Sequence, residues 1–122
     1  MNPRLHSVVL DCPDPDALAR FYAGLLGKEV SHRSDDWVYV LVGEGWGLAF
    51  QRAPDHRPPE WPDPERPQQI HLDVEVDDIE EAERLALELG AHPLRKVKVE
   101  EDADDRFRVY TDPAGHPFCL EY

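Results

Sequence analysis

Two stretches of the chain carry the same succession of apolar and polar positions. Residues 7 to 25 lie over residues 71 to 89 at one constant offset, and residue types agree where structure is most constrained. In the first copy the apolar run Val8-Val9-Leu10 predicts a strand. Asp14 then offers a side chain that can accept a backbone N–H, Pro15 suits the first helical position, and Leu18, Phe21, Tyr22 and Leu25 recur at helical spacing before Gly27. In the second copy Ile70, Leu72, Val74 and Val76 alternate with polar residues, which predicts a half-buried strand. Asp78 with Glu81 makes a capping box, and Ile79, Ala82, Leu85, Ala86 and Leu89 predict the buried stripe of a helix stopped by Gly90.

Further strands are expected after each copy: Glu29 to Arg33, Trp37 to Val42 and Leu48 to Gln51, then Lys96 to Glu100, Arg106 to Thr111 and Phe118 to Tyr122. The turns between them are Ser34-Asp35-Asp36, Gly43-Glu44-Gly45 and Asp112-Pro113-Ala114-Gly115. Arg52 to Gln69 holds six prolines and reads as an extended connection. The result is a single α+β domain over residues 1–122, with one module at 4–52, a Pro-rich linker at 53–69 and a second module at 70–122. Trp61, in the middle of the linker, either pins it to the body or covers a ligand. The acidic run Glu100 to Asp105 reads as a solvated hairpin tip, with a loose calcium site as its alternative.

Composition narrows the function. At 122 residues and 41% hydrophobic content the chain suits one core. A formal net charge of -13 opposes binding to nucleic acid or to an anionic membrane, because both need Lys and Arg against phosphate. No apolar stretch approaches a membrane span and the N-terminus has no signal-peptide pattern, so a cytoplasmic protein is expected. Cys12 and Cys119 read as free thiols. No nucleophile set with an activating base and no glycine-rich phosphate loop is visible.

The paired modules, the segment Asp14 to Gly27 with Phe21-Tyr22 near its middle, and the tail Asp112-Pro113-Ala114-Gly115-His116-Pro117-Phe118 resemble the glyoxalase/bleomycin-resistance/dioxygenase (vicinal oxygen chelate) superfamily. Leu48-Ala49-Phe50-Gln51, Pro67-Gln68-Gln69-Ile70-His71-Leu72-Asp73 and Gly115-His116-Pro117-Phe118-Cys119-Leu120 are similar to its glyoxalase-like subfamily. The resemblance implies two βαβββ modules curving around a cup, often in a homodimer, and a divalent metal held by His, Glu or Gln from four strands. Carried onto this sequence, those positions fall at Ser7, Ala49, His71 and Cys119, with Glu121 two residues beyond the last. Only His71 is a usual ligand there, and His6 is expected on the opposite strand face. Two residues along each strand, roughly 6.8 Å away, Val9, Gln51, Asp73 and Glu121 form a second tier. His116 reads as a turn-holding residue.

The expectation is therefore a binding module without the full metal set and with no cofactor. Its small, partly apolar or aromatic ligand would meet Ser7, Gln51, Trp61, His71, Asp73, Cys119 and Glu121. The alternative is a metal-dependent lyase, isomerase or dioxygenase using His71 with Glu121 or Asp73. A third reading is a protein-interaction role with a vestigial cup. A homodimer is expected from the sheet edges a small domain must cover.

Overall fold

A computed structural model describes residues 2–94 and 106–122. The expected strand Lys96 to Glu100 and the acidic run Glu100 to Asp105 lie outside the described residues. The chain forms two compact units, Met1–His56 and Arg57–Tyr122.

The first unit runs β1 (Ser7–Cys12), α1 (Pro15–Leu26), β2 (Val30–Arg33), β3 (Trp37–Gly43) and β4 (Trp46–Arg52). Its sheet has the order β1-β4-β3-β2, with β1 parallel to β4 and the other pairs antiparallel. Asp14 caps α1 as the sequence predicts, its carboxylate accepting from the Ala17 N–H at 3.2 Å, and Gly27 ends the helix at φ 65, where a Cβ would be strained. Leu18 and Tyr22 of α1 are buried, as are Leu10, Cys12, Val38, Val40, Leu48 and Phe50 of the sheet. Tyr22 stacks on Phe50 with centroids 5.7 Å apart.

The second unit holds β5 (Leu72–Glu75), α2 (Ile79–Leu89), β6 (His92–Pro93), β7 (Phe107–Thr111) and β8 (Pro117–Glu121). The order is β5-β8-β7-β6, again with first and last strands parallel. Asp78 caps α2 through the Glu81 N–H at 3.1 Å. No described helix is long and apolar enough to cross a membrane.

Three local expectations are corrected. The strand expected over 70–76 is shorter, because Gln69 turns the chain at φ 59 and Ile70 is left 60% exposed. The stripe on α2 is thinner than its pattern: Ala86 is buried but Leu85 is exposed. Polar contacts fasten α2 as well. Tyr110 donates to Glu83 at 2.8 Å, and Arg108 bridges Glu83 at 3.0 Å and Glu80 at 2.8 Å. Finally, the Pro-rich connection is not extended throughout. Residues 60–66 close into a loop in which the Glu60 N–H donates to the Arg66 carbonyl at 2.9 Å and the Glu65 N–H to the Asp63 carboxylate at 2.9 Å. Local side-chain acceptors outcompete an extended path there.

The turn between β7 and β8 is organised by Asp112, the one buried charged side chain among the described residues. Its Oδ1 accepts from the backbone N–H groups of Ala114 at 2.9 Å and His116 at 3.0 Å, while His116 Nδ1 lies 2.9 Å from Oδ2. Ala114 and His116, through two backbone N–H groups and one imidazole, thus satisfy a buried carboxylate that would otherwise be costly. Asp112→Ala is expected to lower unfolding free energy by about 2–4 kcal/mol, since it removes the carboxylate that accepts from two backbone N–H groups and lies against the His116 ring. Urea unfolding measures this, and a loss below about 0.5 kcal/mol would contradict the assignment.

Candidate functional site on the second sheet

Strand alternation divides the second sheet into two faces. Phe118, Leu120, Leu72 and Val74 share one face with Arg108 and Tyr110, whose bonds to Glu80 and Glu83 place α2 over it. The other face carries Asp73, Glu75, Cys119 and Glu121. The observed register differs by one step from the tiers inferred from sequence: Asp73 stands level with Cys119, and Glu75 with Glu121.

Just before β5, the His71 ring reaches this same group. Its Nε2 lies 3.1 Å from Asp73 Oδ1, its Nδ1 lies 2.9 Å from Gln68 Oε1, and the Trp61 ring stacks on it at 5.2 Å and 17°. Trp61 therefore pins the 60–66 loop to the imidazole. His71, Asp73 and Cys119 each offer a ligand atom, and these lie within 4.8 Å of one another. Glu121 is not part of that trio, although it interacts with Asp73.

The electrostatics of the face follow from crowded acids. Burial pushes the Cys119 thiol up to about 12, reinforced by the charge of Asp73, a hydrogen bond with it, and Glu121. At neutral pH the thiol is protonated and a poor nucleophile. The Glu121 carboxyl is raised chiefly by the charge of Asp73, then by desolvation, a hydrogen bond to Asp73 and the charge of Glu75, while His71 opposes the shift. The face is short of positive charge.

Beside Trp61 lies a cavity of about 180 Å³, lined by Glu60, Trp61, Asp63, Leu94, Thr111 and Pro117 among others. Of these only Trp61 was singled out from sequence. Gln68 and Glu75 were also missed. Glu75 was legible by its two-residue spacing from Asp73, whereas nothing in the sequence marks Gln68 as the partner of His71.

Ser7 and Gln51 belong to the first unit, on the sheet face opposite α1 with Val9, Asp11 and Ala49. Ser7 Oγ lies 3.3 Å from His6 Nδ1, and Gln51 is exposed opposite Trp37. His6 was expected on the other face. It precedes β1, so strand alternation does not bind it, and its ring stacks on Tyr39, the register partner of Ala49, at 5.4 Å. The positions Ser7 and Ala49 supply no usual metal donor, so the residues present do not fit the four-strand ligand set implied by the resemblance.

The model of a glyoxalase-like domain matches residues 7–121. Among curated proteins, none matches the sequence. A glyoxalase/bleomycin resistance protein/dioxygenase family enzyme from Burkholderia phytofirmans PsJN has a similar structure, with a TM-score of 0.73 at 15% identity, over 98% of each chain. The glyoxalase family protein of Enterococcus faecalis gives 0.67 at 24% identity, over 98% of this chain and 97% of its own. The fosfomycin resistance protein FosX of Mesorhizobium loti gives 0.68 at 15% identity, over 99% and 92%. The paired four-stranded sheets, their order and this near-complete match make the chain a member of the glyoxalase-like domain family, within the glyoxalase/bleomycin resistance/dioxygenase superfamily.

Proposed function

We propose that the protein binds a small molecule with a flat apolar or aromatic part and at least one positively charged or hydrogen-bond-donating group. The observation that carries this reading is the Trp61–His71 stack at the edge of the 180 Å³ cavity. An indole beside a cavity gives a planar ligand a large apolar surface at little entropic cost. Glu60 and Asp63 line the same cavity and the acids of the sheet face stand near His71, so cations and donors are favoured over anions. The volume lies below the roughly 300–1,000 Å³ of sites for drug-sized compounds, which suits a ligand of few atoms or one end of a larger one.

A metal-dependent lyase, isomerase or dioxygenase is the second reading, supported by the convergence of His71, Asp73 and Cys119. Fold alone does not choose between the two. A homodimer belongs to the same proposal. Val9, Leu41 and Trp46 in the first unit, and Ile70, Leu85 and Leu87 in the second, remain exposed apolar side chains that an isologous interface would cover. The cytoplasm is the proposed compartment, where Cys12 and Cys119 stay as free thiols.

Saturation-transfer NMR on metal-free protein at neutral pH, with matched panels of small aromatic amines and aromatic acids, tests the binding reading. Amines are expected to bind and acids not, and Trp61→Ala is expected to weaken the amines about tenfold, the worth of one stacked cation. Equal binding of acids, or an unchanged Trp61→Ala, would defeat it. For the dimer, sedimentation at micromolar concentration and moderate salt is expected to give the mass of two chains; a species of one-chain mass contradicts it.

A further inference from the structure

We propose that the cavity beside Trp61 takes the head of an alkylated ammonium ion of the trimethylammonium type, with Asp63 as its counter-ion and the Trp61 indole as its aromatic wall. The inference rests on the small-molecule reading and deepens it, naming the end of the ligand that enters the cavity and the side chain that selects it.

The wall of this cavity is poor in hydrogen-bond donors. Pro59, Pro62 and Pro117 line it and carry no N–H. The backbone N–H groups of Glu60 and Asp63 are spent inside their own loop, on the Arg66 carbonyl at 2.9 Å and the Glu60 carbonyl at 2.6 Å. Gly115 donates to the Asp112 carbonyl at 2.9 Å and Leu94 to the Val109 carbonyl at 2.9 Å. A carboxylate or phosphate entering here finds little to replace its hydration. Negative charge, by contrast, is supplied by the wall itself. Glu60 is paired with Arg66 at 3.1 Å, so its charge is already answered. The Asp63 carboxylate accepts the Glu65 N–H at 2.9 Å through Oδ1, and no cationic side chain pairs with it among the described residues. Its charge is the one left for a ligand.

The apolar part of the wall decides which cation fits. A primary ammonium is compact and strongly hydrated, and its three N–H donors all need acceptors, which prolines, Leu94 and an indole cannot be. Alkylation removes those donors and spreads the charge over methyl groups that pack on apolar surface, and the electron-rich face of an indole attracts such an ion. One face of Trp61 lies against His71 at 5.2 Å, and His71 is not among the described residues that line the cavity. The ring is thus positioned from one side and meets the ligand with the rest of its surface. Size agrees: at roughly 30 Å³ for each water-sized group, 180 Å³ holds about six non-hydrogen atoms, enough for a trimethylammonium head and two further carbons. Trp61 and Asp63 stand on the same loop, closed by the bonds between Glu60 and Arg66, so the aromatic wall and the counter-ion are held together.

The test titrates full-length, metal-free protein at neutral pH and low salt with benzyltrimethylammonium, benzylamine and benzyl alcohol, the quaternary, primary and uncharged probes, followed by saturation-transfer NMR. Benzyltrimethylammonium is expected to bind most tightly, about tenfold better than benzyl alcohol. Asp63→Asn should weaken it about fivefold, the effect of one exposed charge pair, and leave benzyl alcohol unchanged. Glu44→Gln makes the same charge change in the first unit and should alter neither probe. Asp63→Asn keeps an oxygen for the Glu65 N–H, and circular dichroism on each variant separates lost binding from lost fold. Three results would each overturn the inference while leaving the small-molecule reading in place: benzylamine or benzyl alcohol binding as tightly as the quaternary probe, a folded Asp63→Asn that binds it like wild type, or equal losses from Glu44→Gln and Asp63→Asn. If none of the three probes binds, the small-molecule reading itself falls, and this inference with it.

Discussion

A parallel pair of strands cannot be joined by a tight turn; it needs a crossover, and that requirement shapes both units of this protein. In each, the first strand lies beside the last, with a helix and two further strands between them in sequence. The helix covers one face of the sheet and leaves the other to polar chemistry. Because the first and last strands are neighbours, residues near 73 and 119 become level partners, and the candidate site exists only through that pairing.

The two units use the scheme differently. In the first, Leu18 and Tyr22 of α1 bury against Val38, Val40 and Phe50, and the aromatic stack of Tyr22 on Phe50 anchors the helix. In the second, α2 buries only Ala86 fully, and the buried Tyr110 hydroxyl and the Arg108 guanidinium hold the helix through Glu83 and Glu80. Removing one partner of such a network leaves others unsatisfied, so its worth lies more in fixing the helix position than in net attraction.

On the open face of the second sheet, three acids and a thiol share the surface that the His71 imidazole reaches through Asp73. The site therefore attracts cations, which agrees in sign with the chain's net charge of -13. The stack of Trp61 on His71 ties the Pro-rich loop to this face, so a segment that reads as a mere connection becomes part of the wall of a cavity.

Local signals were enough for the repeat, both helix caps, the glycine stops and the Asp112 turn, since each depends on residues within a few positions of one another. Asp14 reaches Ala17 and Asp112 reaches His116 without help from distant chain. The open-face role of Asp73 and Glu121 was legible from their two-residue alternation, but their pairing level was not, because register is settled by hydrogen bonds between strands far apart in sequence. His6 escaped prediction because alternation holds only inside a strand, and β1 begins at Ser7. Sequence determined which faces exist and what chemistry each carries. Tertiary structure alone decided that Gln68, His71, Asp73, Cys119 and Trp61 meet, because a contact between distant residues follows from strand pairing and loop closure rather than from any local preference.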